Sequence, residues 1–215
     1  MNSQNHPGFK ETEIGLIPVD WDIVKLDDIA VISSGGSAPQ GEKYFNGKHP
    51  FVRVQHIEHV SDKITKWDLI TDEAVKKYKL KQYPMGTIVF PKSGASIYLE
   101  KRAMLPVDAY IVNHLCAVIA DPQKADLKFI FYVLKNINLS KDKAEGYPTL
   151  NLSEVKNIKI ILPSLPEQKK ISFLLSKIQL VIEQAETKKQ TFQHLLKTML
   201  NQLMTGKIRV KDLDI

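Results

Sequence analysis

Leu162–Arg209 reads LPSLPEQKKISFLLSKIQLVIEQAETKKQTFQHLLKTMLNQLMTGKIR, and the fold turns on how this stretch is interpreted. Ser164-Leu165-Pro166-Glu167 fits a capping box, in which the serine hydroxyl accepts from a first-turn N–H and the glutamate reaches back. Proline is tolerated there because first-turn N–H groups have no helical partner. Beyond Pro166 neither proline nor glycine occurs until Gly206, a stop placed directly after Thr205. The interval predicts one helix of about 40 residues, roughly 60 Å long at ~1.5 Å per residue.

Apolar spacing shows what such a helix packs on. Ile171, Ile178, Ala185, Phe192 and Met199 recur every seven residues, flanked by Leu174, Leu175, Val181, Ile182, Leu195, Leu196 and Leu203. A sustained seven-residue repeat is the mark of a helix lying along another helix. Glu186-Thr187-Lys188-Lys189-Gln190 is polar nearly all round, so the seam has two apolar halves and a weaker waist. The chain offers no second helix of comparable length. The seam therefore predicts a partner helix, from a second copy or from another subunit; packing of one amphipathic helix on its own domain is the alternative.

Upstream of the helix, the sequence predicts a single α+β globular unit. The 215 residues have room for one medium domain plus the helix. Residues 1–13 are polar and predict a flexible tail, with a domain over 14–161 and the helix and its end over 162–210. Trp21 is an anchor at the domain start. Val24–Ala30 predicts a strand end and a short helical turn, Ser37–His49 a polar loop, and Phe51–Ile57 a strand with Arg53 and Gln55 on one face. A helix is predicted from Thr71 through Leu80 and another from Asp126, with Leu127, Ile130, Phe131, Leu134 and Ile137 on its inner face. Gly86–Phe90 predicts a strand and Pro91–Ser96 a turn. Tyr110–Val112 and Leu115–Ile119 form a nearly continuous apolar pair, the expected sheet centre. Gly146–Asn151 predicts a turn, and Ile158–Leu162 a last strand feeding the helix.

Composition excludes some classes and permits others. A net charge of +6 is spread over the chain, with an excess of four positive charges in residues 21–160 and again in 161–215. That permits a polyanion as partner. The single cysteine, Cys116, precludes an internal disulfide and suits a reducing compartment. MNSQNHPGFKETEIG lacks the apolar core of a signal peptide, and no apolar run reaches the ~18–20 residues that span a bilayer. A cytoplasmic location is expected.

No catalytic constellation assembles. There is no Asn-Pro-Pro-Tyr-like motif, no glycine-rich cofactor loop and no P-loop; Gly35-Gly36-Ser37 is too short to cradle phosphate. His56 and His59 lack a second ligand pair, so neither a metal nor a cofactor is expected. His114 and Cys116 read as core residues, and Asp27-Asp28 as a solvated helix turn. What remains is a set of polar, basic and aromatic loops, the usual arrangement for recognition. Candidates for phosphate contact are Lys43, Lys48, Lys76, Lys77, Lys79, Lys92, Lys101 and Arg102. Candidates for base-edge contact are Gln40, Tyr44, Arg53, Gln55, Ser93, Ser96 and Thr149, since arginine and amide side chains match base donors and acceptors.

Several stretches in order resemble one family, the DNA-specificity (S) subunits of type I restriction-modification enzymes. Gly15-Leu16-Ile17-Pro18-x-x-Trp21 resembles the family's domain start, and Ser34-Gly35-Gly36-Ser37-Ala38-Pro39 its glycine-rich loop. Pro50–Ile57 is similar to the strand after that loop, and Gly146–Ser153 to the turn before the last strand. The most specific stretch is Leu162–Ile171 followed by the long helix and Thr205–Val210.

The resemblance implies a non-catalytic target-recognition domain that reads half of a bipartite site in double-stranded DNA, with the helix as spacer and docking rail. The typical member carries two such domains and two such helices packed antiparallel; this sequence has one of each, as in a half-length subunit. The expectation is a homodimer held by an antiparallel coiled coil through Ile171, Leu174, Leu175, Ile178, Ile182, Phe192, Leu195, Leu196, Met199 and Leu203. A DNA adenine methyltransferase (modification) subunit is the implied partner, and a translocating restriction subunit is left open. The family's base-reading residues vary, so the loop candidates rest on chemistry alone. A protein–protein adaptor using the coiled-coil helix without DNA is the alternative.

Overall fold

The first strand lies inside the segment whose sequence reads as a loose tail. In the computed structural model, which describes residues 8–58, 63–141 and 148–210, β1 (Phe9–Thr12) pairs antiparallel with β2 (Gly15–Pro18). Burial of Ile17 anchors this hairpin, which corrects the expected tail for residues 9–12. Residues 1–7 lie outside the described residues, as do His59, Gly146 and Tyr147.

Strand β3 (Asp22–Lys25) and the single helical turn α1 (Leu26–Ile29) follow as read from the sequence, and β4 (Ala30–Ser34), not expected there, comes next. The next stretch does not. The expected loop is cut short by a 3-10 turn at Glu42–Tyr44 and by β5 (Phe45–Val52), and the expected strand over Phe51–Ile57 stops at Val52. Val54–His56 is instead a 3-10 turn, so Arg53 and Gln55 do not share a strand face. The backbone N–H of Arg53 donates to His56 Nδ1 at 3.0 Å, and that of His56 to the Arg53 carbonyl at 3.0 Å. Local side-chain bonding of this kind competes with a strand ladder.

Next come β6 (Asp68–Ile70) and α2 (Asp72–Lys77), capped by Thr71, whose hydroxyl accepts from the Ala74 N–H at 3.2 Å. After β7 (Gln82–Tyr83), β8 (Ile88–Pro91), β9 (Ala103–Met104), β10 (Ala109–Ile111) and β11 (Leu115–Ala120), helix α3 (Leu127–Asn136) begins. Asp126 caps it, accepting from the Phe129 N–H at 2.9 Å. Helix α4 (Leu152–Lys156) and β12 (Lys159–Leu162) lead into α5 (Leu165–Met204).

The strands form two four-stranded sheets, ordered β6-β5-β10-β7 and β4-β11-β8-β9, and two strand pairs, β1-β2 and β12-β3. The apolar runs β10 and β11, expected to form one sheet centre, are interior strands of different sheets. The chain passes between them at Asn113-His114. Both sheets contribute to one core: Phe51, Val52, Ile70, Tyr83 and Ile111 from the first, Val89, Ala103, Leu115 and Ala117 from the second. The Tyr83 hydroxyl donates to the Ser34 carbonyl at 2.8 Å and ties the sheets together. β10 runs parallel to β5 and antiparallel to β7, so the architecture is mixed α/β with a long C-terminal helix.

The chain divides into two compact units at Lys170 and Ile171. The first turns of α5 belong to the globular unit. There the Gln168 side chain is buried with its amide satisfied: it accepts from the Asp126 N–H at 2.8 Å and donates to the Pro163 carbonyl at 2.9 Å. Glu167, expected to complete the capping box, accepts the indole N–H of Trp21 at 3.1 Å, which makes Trp21 the anchor expected of it. The helix then continues to Met204. Thr187 in its polar waist and Thr191 just after it donate to carbonyls four residues back, both at 2.9 Å. Gly206, at φ 69°, closes the end by donating to the Leu203 carbonyl at 3.1 Å. No helix among the described residues is long and apolar enough to cross a membrane.

Candidate nucleic-acid interface

The bend between β4 and the loop after it is built by glycines that let two backbones touch. A Cβ on Gly35 would collide with the carbonyl oxygens of Ile111 and Val112. The approach is sealed by bonds from the Gly36 N–H to the Ile111 carbonyl at 3.0 Å and from the Asn113 N–H to the Gly36 carbonyl at 2.7 Å. The glycine pair is thus a splice between the two sheets rather than a phosphate cradle.

Beside this splice lies a cleft of about 550 Å³ lined by Ser37, Gln40, Arg53, Gln55, Asn113 and His114, with Ala38, Val54, Tyr78 and Val112 as its apolar and aromatic wall. Three of the sequence candidates, Gln40, Arg53 and Gln55, therefore come together. Gln40 is held by its backbone N–H, which donates to the Tyr78 hydroxyl at 2.8 Å, and by its amide, which donates to the Ala38 carbonyl at 3.3 Å. Arg53 is half-buried. Its Nε–H donates to Asp68 at 2.6 Å, and its guanidinium carbon stands 5.5 Å from the Phe45 ring centre and 5.6 Å from that of Phe51. The other carboxylate oxygen of Asp68 is 3.7 Å from His56 Nε2. Burial lowers the His56 pKa; the Asp68 charge opposes that and the Arg53 charge reinforces it.

His114 is exposed on the cleft and not in the core, because it sits on the turn that carries the chain between sheets. Its Nδ1 is 2.5 Å from the Ser93 hydroxyl. Ser93 forms an isolated antiparallel bridge with Thr149, and the carbonyl of Lys92 accepts from the Leu150 N–H at 2.7 Å. Ser96 donates to the Ser93 carbonyl at 3.2 Å. Lys92, Ser93, Ser96 and Thr149 thus form a second patch joined to the cleft through His114. Asn113, His114 and Tyr78 were missed by sequence reading; the one available signal was the polar pair interrupting two apolar runs.

The remaining candidates separate. Tyr44 is removed from the base-edge set: it is 2% exposed, and its hydroxyl accepts from Lys77 Nζ at 2.6 Å, which holds the phenol below its usual pKa. Arg102 is removed from the phosphate set: it is 2% exposed, stacked 5.2 Å from the Phe90 ring centre and paired with Glu100. Lys101 Nζ donates to the Ile57 carbonyl at 3.0 Å. Lys43 pairs with Glu73 at 3.3 Å and Lys48 with Asp72 at 3.1 Å, both exposed. Exposed pairs of this kind are weak enough to exchange for a phosphate. Lys76 and Lys79 stand in solvent on and beside α2.

A concave face of guanidinium, imidazole and amide groups can match the donor and acceptor pattern of base edges. It offers little to covalent chemistry. The Cys116 thiol is buried and pushed up to about 12, far from a thiolate. Among the described residues no group of three metal-ligating side chains assembles.

Two sheets bearing a polar cleft, followed in the chain by a long helix, match the architecture of a target-recognition domain. The chain belongs to the type I restriction modification DNA specificity domain family, whose profile matches residues 18–194. It is 33% identical over 203 residues to the type I restriction enzyme MjaIX specificity subunit of Methanocaldococcus jannaschii, covering 92% of this chain and 46% of that protein. It is 30% identical over 221 residues to the MjaVIII specificity subunit of the same organism, covering 97% and 51%. The chain spans about half the length of these curated relatives. Its fold is shared with the HsdS subunit of Thermoanaerobacter tengcongensis, at a TM-score of 0.61 with 16% identity, over 92% of this chain and 46% of that one. A chain from a study of complex assembly and conformational transition of the type I R-M system gives a TM-score of 0.68 with 19% identity, over 90% and 45%.

Proposed function

We propose that this chain is a non-catalytic specificity subunit that binds double-stranded DNA through the Arg53–His114 cleft. It homodimerises through α5 to read a bipartite inverted-repeat site, and it recruits DNA adenine methyltransferase subunits in the cytoplasm. The observation that carries this reading is the gathering of Gln40, Arg53, Gln55, Asn113 and His114 from separate segments onto one concave face. Family membership supports it, and so does the second unit. Leu174, Leu175, Ile178, Ile182, Phe192, Leu195 and Leu196 are exposed on α5, and Ile171, Met199 and Leu203 half-exposed. Apolar surface of that extent marks an interaction face. Two copies related by a two-fold axis present the same seam to each other.

The test is duplex binding by the purified chain across a salt series. DNA binding through phosphate contacts releases counterions, so affinity should fall steeply and linearly on logarithmic axes as salt rises. A protein that shows no duplex affinity at low salt contradicts the proposal.

A further inference from the structure

We propose that Arg53 reads a guanine in the DNA target and that Asp68 is its positioning residue, an assignment that rests on the DNA-binding reading above. The guanidinium is constrained on two sides before any ligand arrives. Asp68 takes the Nε–H at 2.6 Å, which sets the plane, and Phe45 and Phe51 flank the group at 5.5 and 5.6 Å. Its terminal amino groups have no further partner among the described residues, and the side chain lines the cleft. An arginine held in this way presents two parallel donors at a set spacing and orientation. In the major groove only guanine presents two adjacent acceptors, N7 and O6. Adenine pairs its acceptor with a donor, thymine has one acceptor beside a methyl group, and cytosine offers a donor. A phosphate would satisfy the charge without needing a cleft edged by Gln55, Gln40 and Asn113. Those amides are suited to neighbouring base edges, where a donor and an acceptor are wanted together.

Asp68 thus has two effects. It offsets the desolvation of a half-buried cation, and it prevents the guanidinium from turning to offer Nε in place of the paired terminal groups. Its second oxygen stands 3.7 Å from His56 Nε2.

The experiment uses the full chain. A randomised duplex library is first enriched for bound sequences, and each guanine of the consensus is then replaced in turn by 7-deazaguanine, which lacks the N7 acceptor. One guanine per half-site should show a loss of roughly 5- to 100-fold, the discrimination a bidentate pair supplies. That penalty should vanish in Arg53→Ala, shrink in Asp68→Asn and return in part in Asp68→Glu. A consensus without guanine on either strand overturns the assignment, as does a 7-deaza penalty that persists in Arg53→Ala. The modified DNA tests wild-type protein, so a poorly folding variant does not block the result. Failure to enrich any sequence, with no duplex affinity, would instead overturn the DNA-binding reading itself.

Discussion

Gly35→Ala should destabilise the globular unit at the splice between its sheets. The added Cβ meets the carbonyl oxygens of Ile111 and Val112, which are backbone atoms and cannot swing aside as a side chain does. Overpacking of this kind costs ~1–3 kcal/mol. Moving the strands apart would also loosen the Gly36–Ile111 and Asn113–Gly36 hydrogen bonds, at ~0.5–1.5 kcal/mol each. The expected total is about 2–6 kcal/mol. For a unit of this size that corresponds to a fall in melting temperature of roughly 4–24 °C, at ~2–4 °C per kcal/mol. Gly36→Ala is the comparison: its Cβ meets the far end of the Leu80 side chain, which can rotate away, so the loss should be smaller. Urea unfolding of both variants, read as midpoint shifts at constant slope, measures the difference. Indistinguishable midpoints for Gly35→Ala and the parent chain would refute the close-approach argument.

Ile178→Asp should dissociate the dimer. Ile178 is 50% exposed on the single chain, so both copies together forfeit roughly 2 kcal/mol of burial before the cost of desolvating the new charge. The dissociation constant should rise more than about tenfold by light scattering across a concentration series. Arg102→Ala should cost roughly 2–5 kcal/mol in chemical unfolding, by emptying a buried site against Phe90 and unpairing the Lys101 and Ile137 carbonyls, yet leave the salt slope of DNA binding unchanged, because a buried guanidinium is out of reach of phosphate. His56 should make stability fall as the solution is acidified. Burial lowers its pKa, so the unfolded chain binds more protons between the folded value and the ordinary value near ~6.5. This contribution is complete above the unfolded pKa and is lost as pH falls through the window below it. His56→Gln should flatten that part of the profile in thermal melts at stepped pH.

The elements legible in the sequence were those whose signals are local. Helix α5 is bounded by Pro163, Pro166 and Gly206; α2 and α3 are announced by Thr71 and Asp126 at their caps. Elements defined by distant partners were not legible. The run from Tyr110 to Ile119 looks like one sheet centre because both halves are apolar. Only the parallel pairing of β10 with β5 and the antiparallel pairing of β11 with β4 and β8 separate them. The Phe51–Ile57 alternation was genuine, but bonding between Arg53 and His56 ended the strand. Tyr44 and Arg102 carry polar ends that suit a DNA contact, yet both side chains are buried and pair with Lys77, distant in sequence, and with Glu100. The cleft draws on residues 37, 38, 40, 53–55, 78 and 112–114, a convergence that no local pattern encodes.

In the proposed dimer, two copies of one recognition domain, held by paired α5 helices, read one half-site twice. Two-fold symmetry then requires an inverted repeat, and a rigid helix requires a spacer unread in sequence but constant in length. Each added base pair rotates a half-site by about 34° and shifts it ~3.4 Å, so one pair too many misaligns base contacts while phosphate attraction persists. Methylome sequencing of a host expressing this chain with its modification subunit tests this directly. A single methylated motif that is an inverted repeat with one spacer length is expected; an asymmetric motif, or one tolerant of variable spacing, would contradict paired reading by two copies.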